Sequence, residues 1–234
     1  MSLAILLLLA FVPLEKGTIP FIPKDMAVTE GHIYLLGERG LEIYELLGDS
    51  LQVIYSSESP LRAIDADPIF LYLLDREGLK VITRGAEGAG VLKGGRFRDV
   101  TVSGLGIVYL LRWEGDRLYV LDIGEEEFTL SSPAQRLECS PAGFLGLGRE
   151  KEIEITDSRG IPLEKFTGDY RDFALGPGGL YVANEEGILR IDLESWPSSY
   201  RMISDSAIQL IDCNGDTVYY MNARGELYLT FPTN

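Results

Sequence analysis

The sequence predicts an all-β chain folded as a six-bladed β-propeller, each blade a four-stranded antiparallel sheet. Three observations carry this expectation. One apolar, tyrosine-bearing segment recurs six times at nearly constant spacing, a glycine turn follows it in five of the six copies, and no helical periodicity intervenes. The segments begin at His32 (HIYLLGERGLEIYEL), Leu71 (LYLLDREGLKVIT), Val108 (VYLLRWEGDRLYVLD), Leu145 (LGLGREKEIEIT), Leu180 (LYVANEEGILRID) and Val218 (VYYMNARGELYLTF). Aligned, they place Tyr34, Tyr72, Tyr109, Gly146, Tyr181 and Tyr219 at one position, with gaps of 38, 37, 37, 35 and 38 residues. The turn glycines are Gly40, Gly78, Gly115, Gly187 and Gly225, and only the fourth copy lacks one. A tight hairpin turn needs a backbone with positive φ, which glycine adopts without steric penalty.

Each unit is completed by its flanks. Upstream lies a short strand pattern: DMAVT from Asp25, AIDA from Ala63, DVTV from Asp99, LECS from Leu137, DFAL from Asp172 and LIDC from Leu210. Downstream of the first five lies a weaker one, such as LQVIYS from Leu51 and IPLEKF from Ile161. Four short strands per unit of this length describe a propeller blade. The sixth unit runs out after three strands, at Phe231–Asn234, so the ring needs a strand from elsewhere. Thr18–Ile22 is the expected donor, pairing with Glu226–Phe231, because closure covers two edges that would otherwise stay open. Pro20 suits such an outer strand, since it cannot donate a ladder hydrogen bond.

DMAVTEGHIYLLG, DVTVSGLGIVYLL and DFALGPGGLYVAN resemble the repeat of NHL-type six-bladed propellers, in which an Asp/Gly-aliphatic-Ala-Val stretch, a glycine turn and an aliphatic-Tyr-Val segment follow one another. The resemblance covers nearly all of the chain from Thr18 onward. It implies architecture and leaves function open, because that family includes protein-binding modules, RNA-binding modules and enzymes. No Gly-His and Trp-Asp pair recurs as in WD repeats.

The first 16 residues read as a signal peptide and 17–234 as the propeller domain. Leu3–Val12 are uninterrupted apolar and end at Pro13. Ten residues are too few to span a bilayer, which takes ~20, but they fit the apolar region of a secretory signal. The expectation is therefore an extracytoplasmic protein, periplasmic or secreted, with no stable membrane span. With 36 acidic against 21 basic residues and a formal charge of −15, the chain lacks the basic footprint of a nucleic-acid binder. One histidine excludes sites that need two imidazoles, and two cysteines exclude a four-thiolate metal centre. Neither a metal nor another cofactor is expected. Asp212–Asp216 lacks the further oxygen ligands of a calcium loop and reads as a turn around Asn214-Gly215. Cys139 and Cys213 fall on inner strands of non-adjacent blades, beyond the reach of a disulfide, and are expected to be buried and unpaired.

Chemistry is sparser. Lys24, Arg62, Arg98, Arg136 and Arg171, with Gln209 in the sixth unit, all stand just before the innermost strand. Innermost strands surround the axis, so these residues would ring one channel mouth and focus positive potential on an acidic body. Arginine grips carboxylate or phosphate through two parallel hydrogen bonds. Against this stands a structural reading, in which Asp25, Asp99, Asp172, Asp65 and Glu138 neutralise the cations and hold the ring together. Trp113, at a turn expected on the same face, is a candidate contact anchor. His32 has no nucleophile motif beside it and reads as structural. The leading functional expectation is a non-enzymatic binding or scaffold protein that recognises an acidic protein partner, an anionic small molecule or a glycan at the axial face. The alternative is a hydrolase or lyase acting on an anionic substrate, with Asp65, Glu138 or Asp212 as the base.

Overall fold

The computed structural model describes residues 12–13, 19, 21, 23–38, 40–47, 50–57, 60–83, 90–176, 178–193, 200–204, 207–215 and 217–230. These residues form antiparallel sheets and no helix, and the sheets number six, each of four strands. In chain order, sheet I starts at Pro23–Thr29, sheet II at Ala63–Ala66, sheet III at Phe97–Val102, sheet IV at Arg136–Cys139, sheet V at Asp172–Gly176 and sheet VI at Ile208–Asn214. Sheets I–V are meanders in which each strand pairs with the next. Sheet VI takes its fourth strand from the other end of the chain, and Val12 and Pro13 pair with Leu229 and Tyr228. The segment paired there lies upstream of the expected Thr18–Ile22, of which Thr18, Pro20 and Ile22 lie outside the described residues. Within that stretch Ile19 has no strand conformation, and its buried side chain packs into the core between sheets VI and I. Pro13, which cannot donate, belongs to the outermost strand of sheet VI, where no donor is required.

The first strand of each sheet touches the first strands of the sheets before and after it, and that of sheet VI touches that of sheet I. Packing follows the same order. Six apolar clusters lie one at each junction, so no single core exists and every sheet is held by its two neighbours. The repeated tyrosines explain the period. Tyr34, Tyr72, Tyr109, Tyr181 and Tyr219 are all buried, and each reaches into the junction with the following sheet. A period-2 strand sends alternate side chains to opposite faces, so one large ring per unit at a fixed register fills one junction.

Sheet IV carries Gly146 at that position, and Phe173 of sheet V fills the space. A Cβ on Gly146 would meet the Phe173 ring at 2.6 Å, and one on Gly148 would meet it at the same distance. Phe173 is fully buried at a position where the other sheets carry Met26, Ile64, Val100, Leu137 and Ile211. A missing aromatic on one side of the junction is thus supplied from the other side. The turn glycines behave as the repeat predicts: Gly115 has φ 80°, and a Cβ there would strike the Ala134 carbonyl oxygen at 2.2 Å.

Two substitutions test this exchange of volume. Gly146→Ala should lower stability by about 1–3 kcal/mol through overpacking, and Phe173→Leu alone should cost a similar amount by opening a cavity. The double variant should lose less than the sum, as read from denaturant midpoints. Strict additivity would mean that the two positions do not share the space.

Candidate functional site

The first strand of every sheet is an edge strand, so its inward backbone N–H groups have no neighbouring strand to pair with. Buried and unpaired, each would cost roughly 1–3 kcal/mol. The structure meets this need with carboxylates. Asp25 Oδ2 accepts from Ile64 N (2.9 Å), Asp65 Oδ2 from Val102 N (2.6 Å) and Asp99 Oδ2 from Leu137 N (2.8 Å). Asp172 Oδ2 accepts from Ile211 N (3.1 Å) and Asp212 Oδ2 from Val28 N (2.7 Å). Each acid thus clasps the inner strand of the following sheet, and the clasp runs across every junction except that between sheets IV and V. In four of these acids the second oxygen accepts the next amide of its own strand, at Met26, Ala66, Val100 and Cys213.

At the remaining junction the hydrogen-bonding partner is a cation. Arg136 Nη2 donates to Asp172 Oδ1 at 2.8 Å and lies 3.5 Å from Asp25 and 3.6 Å from Glu138, while its Nε is 3.8 Å from Asp99. Only a side chain in the middle of the assembly can reach sheets I, III and V at once. The acids therefore alternate. Those of sheets I, III and V surround the Arg136 guanidinium, and Asp65, Glu138 and Asp212 of sheets II, IV and VI interact with one another.

Protonation follows from this crowding. Burial, opposed by Arg136, pushes the Asp25 carboxyl up to about 7, and burial takes Asp65 to about 7 as well. Asp99 and Asp172 are also raised by burial, again opposed by Arg136. Burial raises Glu138 and Asp212 well above the carboxylate range; Asp212 adds to the rise in Glu138, and Asp65 to that in Asp212. Arg136 stays charged, because the carboxylates around it outweigh the penalty of burial.

The six expected ring positions are distributed differently from one open circle. Arg136 is drawn inward to the acids. Lys24 Nζ donates to the Leu61 carbonyl at 2.7 Å, tying sheet I to the segment before sheet II. Arg171 pairs with Glu185 at 2.9 Å, and Gln209 lies half-buried at a register shift in sheet VI. Arg62 and Arg98 do converge, and on Trp113. Their guanidinium carbons stand 4.5 and 5.5 Å from the indole centroid, and Arg98 Nε donates to the Trp113 carbonyl at 3.1 Å. A third guanidinium, that of the exposed Arg96, is 5.5 Å from the same ring. Repeat alignment passed over Arg96 because it lies outside the repeated position. The readable signal was the spacing in Arg96-Phe97-Arg98, since residues two apart on an extended chain point to one side while Phe97 between them is buried.

Among the described residues, no carboxylate lies within 4 Å of Arg62, Arg96 or Arg98, whereas nearby Arg112 and Arg117 both bind Glu127 (2.7 and 3.3 Å). Trp113 keeps 36% of its surface exposed. The result is a rim patch of one indole and three arginines without acidic partners on a strongly acidic protein. No group of three or more His, Cys, Asp or Glu side chains among the described residues has a metal-holding arrangement. Cys139 and Cys213 are unpaired as expected, but only partly buried, and their surroundings push both thiols up, away from the reactive thiolate. His32 stacks on Tyr34 at 6.3 Å, and Gly215, at φ 56°, makes the turn read from Asn214-Gly215.

No family model and no curated protein matches the chain. Solved structures do match. YCF48 bound to a peptide is 14% identical at TM-score 0.59, the match covering 92% of this chain and 79% of that one. A catalytically inactive virginiamycin B lyase from Staphylococcus aureus with quinupristin is 11% identical at TM-score 0.61, covering 96% and 99%. The nidogen/laminin complex contributes a chain 12% identical at TM-score 0.62, covering 82% and 85%.

The buried acids make a pH prediction. Their folded-state pKa values lie above the ordinary carboxylate value, so the folded protein holds protons that the unfolded chain releases. Stability should therefore fall as pH rises from about 4, the ordinary carboxylate value, towards about 7, where Asp25 and Asp65 titrate. Asp65→Asn, which still accepts from Val102, should flatten that fall, whereas Asp65→Ala should cost about 1–3 kcal/mol by orphaning the amide. A wild-type stability curve that climbs between pH 5 and 8 would contradict the assignment. The shared propeller architecture of these matches, together with the all-β topology, establishes that the chain has a β-propeller fold.

Proposed function

We propose that the chain is a non-enzymatic binding protein, a six-bladed propeller of NHL-like repeats closed by its N-terminal strand, which holds an acidic segment of a protein partner on the rim formed by Arg62, Arg96, Arg98 and Trp113. One observation carries the reading: three guanidiniums gather on one exposed indole while other cations nearby have carboxylate partners. An exposed tryptophan flanked by arginines is the composition of an interface anchor. Comparison adds support, since the YCF48 and nidogen/laminin structures are complexes with a peptide and a protein. The apolar run Leu3–Val12 supports an extracytoplasmic location.

The enzymatic alternative has one observation in its favour, the raised Glu138 carboxyl in the middle of the assembly. Asp65 and Asp212, its companions, each already hold two backbone amides, and a base so engaged cannot move without opening a junction. The binding reading accounts for the rim patch, which the enzymatic one leaves idle.

Binding of a glutamate-rich peptide, measured in roughly 0.1 M and 1 M salt, tests the proposal. Arg62→Gln with Arg98→Gln should weaken binding about tenfold or more and remove most of its salt dependence, leaving thermal stability unchanged. Equal binding by the wild type and the double variant would exclude this rim.

A further inference from the structure

We infer that the anion preferred by the rim patch is a phosphomonoester dianion carried on a peptide, an assignment that rests on the binding reading above and narrows its ligand. The argument begins with charge. Arg62, Arg96 and Arg98 place three fixed positive charges within 5.5 Å of the Trp113 centroid. None has a carboxylate within 4 Å among the described residues. Three guanidiniums so close repel one another, and a single carboxylate returns one unit of charge. A phosphoryl group returns −1.5 to −2 and offers three acceptor oxygens, enough for donors from several arginines at once.

The rest of the protein selects against other anions. Its formal charge is −15, so a run of carboxylates or a nucleic-acid backbone entering the patch would bring further negative charge towards an acidic body. Glu114, Asp116 and Glu127 line the cleft beside Arg96, together with Arg112 and Arg117. Charges beyond about 8 Å are screened at physiological salt, so one compact dianion feels the arginines while an extended polyanion also meets these acids. Geometry favours the same ligand. Two of the head groups rest on backbone carbonyls, Arg62 on Phe97 (3.3 Å) and Arg98 on Trp113 (3.1 Å), and among the described residues their other N–H groups remain available for oxyanions. The indole holds the three planes close to one surface, lowering the entropy lost when they bind.

The full chain with Trp196→Phe leaves Trp113 as its one tryptophan, and its emission reports on the patch. Four probes are titrated: a short Gly/Ser peptide with one phosphoserine, the same peptide with glutamate in that place, inorganic phosphate and acetate. The phosphoserine peptide should shift Trp113 emission and bind at least about tenfold tighter than the glutamate peptide. Arg62→Gln with Arg98→Gln should abolish the difference while the far-ultraviolet circular dichroism stays unchanged. Inorganic phosphate binding as tightly as the phosphoserine peptide would uphold the phosphoryl chemistry and assign its source to the free ion. Equal affinity for the phosphoserine and glutamate peptides would overturn this inference and leave the acidic-partner reading standing. Failure of both peptides to bind would overturn both.

Discussion

Everything in the molecule depends on how the inner strands are satisfied. A sheet whose first strand faces a crowded centre exposes a row of amides that neither water nor another strand can serve. Carboxylates from the preceding sheet serve them here, so the same acids that complete the hydrogen bonding also link sheet to sheet. The cost is a concentration of negative charge in a buried volume. Two devices relieve it: Arg136 among Asp25, Asp99 and Asp172, and retained protons on the acids of sheets II, IV and VI. The alternation is one of nearest neighbours: Asp25, Asp99 and Asp172 lie around the guanidinium, which also comes within 3.6 Å of Glu138, and burial raises the carboxyls of both sets. The middle of the assembly is thereby committed to structure, which is why the proposed binding site lies at the rim.

Much of the fold was legible because the requirement that shapes it is periodic. Five tyrosines and five turn glycines at near-constant spacing were enough to reveal the repeat, since a junction filled by one large ring and a hairpin with one positive φ recur together. The exception at Gly146 was visible as a gap but not as a solution, because its complement, Phe173, lies in the next unit and becomes meaningful only when the sheets face each other. The partner of Leu229 and Tyr228 was hidden for a similar reason. Val12–Pro13 belongs to an apolar run that reads locally as a secretory signal, and only pairing with Leu229 and Tyr228 reveals it as part of a sheet.

The candidate site was half legible. Repeat alignment brought out the cations but could not say where long side chains end. Arg136 stands one residue further along its strand than Arg62: it pairs with Gly148 and so shares the register of Asp25, Asp99 and Asp172, whereas the residue of sheet IV that matches Arg62 is Gln135. That one-residue step turns Arg136 to the face of the buried acids, at the one junction that lacks an acid clasp, while Arg62 precedes its strand and reaches Trp113 of the next sheet. Sequence spacing, which found the set, did not show this step, and Arg96, outside the repeated position, joined the part that faces solvent.

Amide hydrogen exchange on the inner strands tests the central claim most directly. Val28, Ile64, Val102, Leu137 and Ile211 should exchange as slowly as amides inside the sheet ladders, and Asp99→Ala should speed exchange at Leu137 far more than at Val28, two junctions away. Wild-type exchange at these five amides as fast as at exposed turns, or a uniform response to Asp99→Ala, would contradict the account.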